Sequence, residues 1–484
     1  MKILFTASEV TPFARTGGLA DVAGSLPVAL KRLGHDVRVV MPFYRVVESE
    51  GGGIRKGRKS VEVTGDGDGQ KGYLRIGDVE GVPVYFIENG TYFNREALYG
   101  SAAADYPDNP ERFSFFCRAA LAFIKKLDFR PDIIHCNDWQ TALIPLLLRR
   151  ELTTDPFYHR AATVYTIHNL AYQGLFPREA LQKMGLDETC FTIDQLEYYG
   201  KVNLMKGGIL NADVISTVSP GYCREIQTPD QGCGLEGVLR QRTRDIHGII
   251  NGIDTARWNP ETDRNLARNY SATEPSGKKA NKRELQKQLG LEQRDVPLLG
   301  MVSRMISQKG FDLIEELLPR LEAADLDLVI LGSGDEKYPR SLTAAGKRCG
   351  HIAVCSGFYN NSLDHLIYAG SDLFLMPSRY EPCGLSQLIA LRYGSVPIVR
   401  KTGGLADTVK DAASRSGTGF VFEEYSAEAL WGAIQRALAL HAAPEQWKRL
   451  VRRGMSTDVS WNVSVLQYEE LYRSALAHRR MEPV

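Results

Sequence analysis

The sequence predicts an α/β protein built from two doubly wound domains, and three observations carry that prediction. Short runs rich in Val and Ile alternate with amphipathic stretches through both halves of the chain. At 484 residues the chain is longer than one hydrophobic core ordinarily organises. A polar stretch, 259–296, separates the two alternating regions.

The elements follow in order. "MKILFTASEV" opens with an apolar run that stops at Ala7, and Glu9 follows too early for a secretory signal, so this is a buried first strand. "DVRVVMP", "VPVYFIE", "DIIHCN", "ATVYTI" and "DVISTV" read as further strands bounded by turn residues. The clearest helix starts after Asn109, with Pro110 in its first turn. Its Phe113, Phe116, Cys117, Ala120, Phe123, Ile124 and Leu127 fall on one face at helical spacing. "PLLGMVS", "LDLVILG", "IAVCS", "LFLMP" and "VPIVR" supply the second set of strands. After Ser460, Val465, Tyr468, Tyr472 and Ala475 form the stripe of a final helix. The glycine-rich segment 49–72 comes near a P-loop, since Gly52 and Gly57 precede Arg58 and Lys59, but it lacks the Lys-Ser/Thr ending. "VEVTGDGDGQ" reads instead as a hairpin turn in which Asp66 and Asp68 are solvated.

Composition narrows the function. Hydrophobic residues make up 43% and charged residues 24%, a globular profile, and a net charge of +1 offers no global field for nucleic acid or an anionic membrane. No apolar run reaches the roughly 18 residues that a membrane span needs. Eight scattered cysteines form no C-x-x-C pair, which favours reduced thiols in a cytoplasmic protein over a disulfide or metal site.

In open α/β sheets ligands bind beyond the carboxyl ends of strands, and several polar groups stand there. "RTGGLAD" (15–21) places Arg15, Gly17, Gly18 and Asp21 where a helix begins, suited to an anion or to close packing. "VYTIHNL" puts His168 after a strand, as a catalyst or a structural hydrogen-bonder. Asp138 in "IIHCNDWQ" is a site carboxylate or a helix N-cap. Arg304 and Lys309 in "VSRMISQKGF" suit a diphosphate without a metal ion. "LGSG" lacks the third glycine of a dinucleotide fingerprint, which argues against a nicotinamide cofactor. In "LMPSRYEPCGLSQL", Glu381 precedes a glycine-led helix start, as a hydroxyl-binding carboxylate or a helix-terminal charge. A near copy of the first loop, "KTGGLAD" (401–407), offers backbone contacts or packing at Thr402, Gly403 and Gly404.

Taken together, RTGGLADVAGSLP, HCNDWQTALIP, TIHNLAYQG, HGIINGID, NPETD, SRMISQKGFDL, SRYEPCGLSQL and RKTGGLADTV resemble, in order along the whole chain, the bacterial glycogen synthase and plant starch synthase family. The resemblance implies the GT-B fold, two Rossmann-like doubly wound domains facing a deep cleft. It implies an N-terminal domain over 1–255, a nucleotide-sugar-binding domain over 256–458 and a last helix, 459–484, crossing back to the first domain. The implied activity is transfer of glucose from ADP-glucose to the 4-OH of an α-1,4-glucan such as glycogen, with retention and without cofactor or metal.

By the same resemblance Arg304 and Lys309 neutralise the diphosphate, and Arg15, Gly18 and Asp21 contribute to the donor site. His168, Asp138 and Asn251 contact the sugar. Glu381 grips glucose hydroxyls beside Cys383, Gly384 and Leu385, and Tyr359 stacks on adenine. Thr402, Gly403 and Gly404 belong to the phosphate side. The family usually has lysine where this chain has Arg15, which opens the choice between ADP-glucose and UDP-glucose. A glucosyltransferase with another acceptor, or a sensor that binds nucleotide sugar without turnover, are the rival readings. A scaffold anchored to polymer would need sugar sites on its surface, which 21 tyrosines permit without locating them.

Overall fold

The computed structural model describes residues 1–50, 53–63, 69–101, 104–356 and 363–481; Gly52, Asp66, Asp68 and Tyr359 lie outside them. The chain divides into two compact units, Met1–Asn251 with Trp461–Val484, and Gly252–Ser460.

The first unit is built on a nine-stranded sheet. From one edge its strands are Ile246–Gly248, Val214–Thr217, Ala162–Ile167, Ile133–Asn137, Lys2–Thr6, Asp36–Pro42, Val82–Glu88, Gln70–Val79 and Arg55–Val63. The first seven run parallel, and their central members are buried end to end, as continuous apolar runs require. The last two strands pair antiparallel and form an edge hairpin. Strand order reverses between Lys2–Thr6 and Ile133–Asn137, so the chains leaving their carboxyl ends diverge and open a crevice there.

The helix Asn109–Lys126 buries Phe113, Phe116, Cys117, Ala120, Phe123 and Ile124, and also Phe115, Ala119 and Leu121, so it is covered on more than the one expected face. The helix Trp461–Met481 lays Val465, Tyr468, Tyr472 and Ala475 into the same unit. There the Tyr472 hydroxyl meets His135 Nδ1 at 2.8 Å.

The second unit carries a six-stranded, wholly parallel sheet. Its order is Ile352–Ser356, Asp327–Gly332, Leu298–Val302, Leu373–Met376, Val396–Arg400 and Phe420–Phe422. The reversal falls between Leu298–Val302 and Leu373–Met376. The polar stretch 259–296 is more than a connection, because it contains the helix Gly277–Gln288. Polar groups anchor that helix. The Lys278 ammonium donates to the Ala369 and Tyr393 carbonyls (both 3.0 Å) and to Ser395 Oγ (2.9 Å), while Lys282 donates to Asp372 at 2.5 Å. Burial pushes the Lys278 amine down to about 7.

Candidate active site

In the first unit, the loop after Lys2–Thr6 and the residues after Ile133–Asn137 and Ala162–Ile167 leave adjacent carboxyl ends of the sheet. The helix Gly18–Arg32 begins at the second glycine of RTGGLAD, with Gly17 as N-cap in extended backbone. The sequence left open which anion that turn would hold, and the structure supplies one from within. The buried Glu9 carboxylate accepts from Thr16 N (2.5 Å), Thr16 Oγ1 (2.6 Å), Gly17 N (3.3 Å) and the Tyr99 hydroxyl (2.6 Å). The amides of Thr16 and Gly17 are therefore committed, and the loop's shape is set by a residue whose place in the sequence told only against a secretory signal. The available signal was a carboxylate placed directly after a buried strand. Burial raises Glu9 above the usual carboxylate range, and its four donors pull it back. Arg15 pairs with Asp21 at 3.0 Å, with Thr11 Oγ1 also donating to Asp21 at 3.3 Å, so the guanidinium is steadied by the acidic residue of its own motif.

Asp138 stands at the N-cap position of the short 3₁₀ turn Trp139–Thr141 and not of the longer helix Leu143–Arg150, whose N-cap is Ala142. It sits at φ 56 and caps no helix with its side chain. Its Oδ1 instead accepts the backbone N–H of His168 at 2.8 Å, tying the ends of two neighbouring strands together. Burial lifts this carboxyl to about 7, against the lowering effect of the His168 and Asn169 amides. His168 is 9% exposed, and its Nε2 lies 2.8 Å from Asn137 Oδ1. Asn137 is oriented by donating Nδ2–H to the Thr6 carbonyl at 2.9 Å. Burial lowers His168 to about 3, so the imidazole is neutral at pH 7. A neutral ring that donates from Nε2 leaves Nδ1 as an acceptor, the right polarity for a sugar hydroxyl and the wrong one for a phosphate. Asn251 is buried, and its Oδ1 has no hydrogen-bond partner among the described residues. An orphaned buried carbonyl costs about 1–3 kcal/mol, which a bound hydroxyl would offset.

In the second unit, the loops on either side of the reversal meet. Lys309 Nζ donates to both oxygens of Glu381, at 2.8 and 2.7 Å, and Ser378 Oγ adds a third bond at 2.8 Å. Glu381 is 5% exposed. The two residues lie 72 positions apart in sequence, so their pairing was not legible there. Two glycines make the approach possible. Gly310 has φ 79, and a Cβ on it would sit 2.2 Å from the Pro377 carbonyl oxygen. Gly404 has its N–H on the Glu381 carbonyl (3.1 Å) and the Pro382 carbonyl (3.2 Å), and a Cβ there would lie 2.2 Å from the Cys383 oxygen.

The Gly404 amide, expected to serve a phosphate or packing, is thus the clamp on the Glu381 loop. Thr402 is the N-cap of the short helix Gly403–Thr408, and Cys383 is buried. Gly384 has φ 73, next to the half-buried Leu385. Arg304 is exposed on the loop that leads to Lys309. The "LGSG" glycines prove to be close-approach positions: a Cβ on Gly332 would meet the Ser303 carbonyl, and one on Gly334 the Met305 carbonyl. Among the described residues no group of acidic, histidine and cysteine side chains is arranged to hold a metal.

Comparison with known proteins agrees with this architecture. The family model for the starch synthase catalytic domain matches residues 2–241, and that for group 1 glycosyl transferases matches 281–453. A glycogen synthase of Geotalea uraniireducens is 60% identical over 99% of this chain and 100% of its own length. Glycogen synthase 2 of Geobacter sulfurreducens is 58% identical, covering 99% and 100%. The catalytic domain of starch synthase IV from Arabidopsis thaliana, solved bound to ADP and acarbose, superposes with TM-score 0.92 at 37% identity over 98% of this chain and 99% of that one. A sucrose-phosphate synthase of Thermosynechococcus elongatus shares the fold alone, at TM-score 0.61 and 19% identity over 98% of this chain and 99% of that one. The chain belongs to the glycogen synthase and starch synthase family of glycosyltransferases, with the GT-B fold.

Proposed function

We propose that this chain elongates glycogen or a related α-1,4-glucan, transferring glucose from ADP-glucose to the 4-OH at a non-reducing end with retention of configuration. The observation that carries the reading is the Lys309–Glu381 pair at the strand reversal of the second unit. It sets a cation suited to a departing diphosphate against a carboxylate suited to sugar hydroxyls. The relative solved with ADP and acarbose supports a nucleoside diphosphate and a glucan-like ligand.

The step breaks the bond between the glucose C1 and the diphosphate oxygen and forms a bond from C1 to the acceptor O4 on the same face. The acceptor proton passes to the departing diphosphate. Negative charge grows on that diphosphate, and Lys309 with Arg304 offsets it; positive charge grows on the sugar, beside Glu381. Both Glu381 oxygens are engaged by Lys309 and one also by Ser378, which suits a hydroxyl-gripping group better than a nucleophile for double displacement. His168, Asn251 and Asp138 in the first unit are assigned to glucose hydroxyls, and Arg15, Gly18 and Asp21 to the donor. Cys383, Gly384, Leu385, Thr402, Gly403 and Gly404 shape the loops around Glu381, and Tyr359 is assigned to the adenine. Eight scattered cysteines without a C-x-x-C pair support a reducing, cytoplasmic setting for the reaction.

The test is incubation of the protein with labelled ADP-glucose or UDP-glucose and glycogen in the presence of a chelator. The expected result is labelled glucan, released by an enzyme specific for α-1,4 linkages, with ADP-glucose the better donor. Absence of product from both donors rejects the reading. A trapped covalent glucosyl–Glu381 adduct rejects the same-face step.

A further inference from the structure

The three-stranded sheet of the first unit, Leu175–Pro177, Lys201–Asn203 and Glu197–Tyr198, ends in a tight hairpin whose tip the folding of the chain does not explain. Tyr198 pairs with Lys201, leaving Tyr199 (φ 49) and Gly200 (φ 77) as the two central residues of the turn. A turn with positive φ at both positions favours Asn or Gly at the first; a bulky aromatic there is a genuine outlier. Tyr199 also buries nothing in return, since it is 85% exposed. Its ring stands edge-on to Tyr198 at 4.8 Å, so two aromatic rings are presented together.

The hairpin is tied to the His168 loop. Tyr198 Oη and Gln173 Nε2 both donate to the Cys233 carbonyl, at 3.2 and 3.0 Å. Phe176 of the same sheet packs edge-on to Trp139, the residue after Asp138, with ring centroids 5.6 Å apart. Tyr172, on the loop between His168 and this sheet, is 49% exposed. The exposed rings are therefore linked, through the two hydrogen bonds to the Cys233 carbonyl and the Phe176–Trp139 ring contact, to the loops that carry the groups assigned to the sugar.

We propose that Tyr199, steadied by Tyr198, is a stacking platform for an α-glucan chain, holding acceptor residues beyond the one that reacts. The proposal rests on the glucan-elongating reading of the site. An aromatic face offers apolar contact to the C–H face of a glucose ring, while the tyrosine hydroxyl can share hydrogen bonds with the rim of sugar hydroxyls. The conformational strain at Tyr199 is what such a role would retain against folding stability.

The test uses Tyr199→Asn in the full chain, because asparagine suits the turn better than tyrosine does. The variant is expected to melt at a higher temperature yet migrate faster than wild type in native gels containing glycogen, without any sugar donor present. In steady-state assays its KM for glycogen should rise about three- to tenfold, the loss of one aromatic contact, with KM for the nucleotide sugar at the wild-type value. Unchanged retardation and unchanged KM for glycogen overturn the platform. So does a lower melting temperature, which would show that Tyr199 serves the fold. A wild-type protein that is retarded by glycogen but elongates nothing would leave the platform standing and reject the enzymatic reading.

Discussion

Replacing Asp138 with asparagine should make the protein more stable at pH 8 than at pH 5, relative to wild type. The carboxyl's ordinary value is 3.8, and burial raises it to about 7 in the fold. A folded value above the unfolded one means the native state holds the proton more tightly. The associated stability is present in full below about pH 4 and is lost as pH rises to about 7. At about 1.36 kcal/mol per unit the whole span is worth roughly 4 kcal/mol. Because the side chain is only half-buried, solvent screening reduces this to about 2 kcal/mol, most of it lost between pH 5 and pH 8. Asparagine keeps an oxygen for the His168 amide and cannot ionise. Calorimetric melting of both proteins at the two pH values is the assay. At roughly 2–4 °C per kcal/mol, the difference in Tm between them should widen by about 3–6 °C from pH 5 to pH 8. An equal difference at both values would show that Asp138 is ionised throughout and that the burial argument fails.

Three further outcomes follow from the same geometry. Glu381→Gln and Lys309→Met should each cost about 3 kcal/mol, since each leaves a buried partner exposed to a mismatch, and the double variant should cost less than their sum. Additive melting shifts would show that the pair is not coupled in solution. Gly404→Ala should lower stability by roughly 2–3 kcal/mol and turnover more steeply, because the new Cβ meets backbone that cannot move without displacing the Glu381 loop. A variant with normal Tm and kcat refutes that. His168 is neutral down to about pH 3, so any inflection of kcat/KM between pH 5.5 and 8 should persist in His168→Asn at reduced overall rate. Its disappearance would identify His168 as the titrating group.

The strands that line both crevices were legible because each is a short apolar run ending in turn residues, and position alone marked the groups at their ends. The edge strand Arg55–Val63 was not, since "RKGRKSVEV" alternates charges with small residues and has only its last position buried. Edge strands are kept polar by the need to avoid pairing with other chains. The helix Gly277–Gln288 escaped for a related reason. It is held by lysine ammonium groups and Asn281, so it lacks the apolar stripe that periodicity detects. At the sites, residue types were readable but partnerships were not. The sequence offered two like loops, RTGGLAD and KTGGLAD. Folding makes one a cradle for Glu9 and the other a clamp on the Glu381 backbone.

The return of Trp461–Met481 to the first unit has a consequence for synthesis of the chain. His135 is buried at the centre of the first sheet, and its Nδ1 meets the Tyr472 hydroxyl of that last helix. Translation passes through the whole second unit between Asn251 and that tyrosine, a delay on the order of 10–50 s at about 5–20 residues per second. During that interval the second unit can close on its own strands, while the first waits with an open flank along the strands Ile133–Asn137 and Ala162–Ile167. The unit begun first is thus completed last, and the nascent chain offers a time window in which chaperones would meet one finished half and one unfinished one.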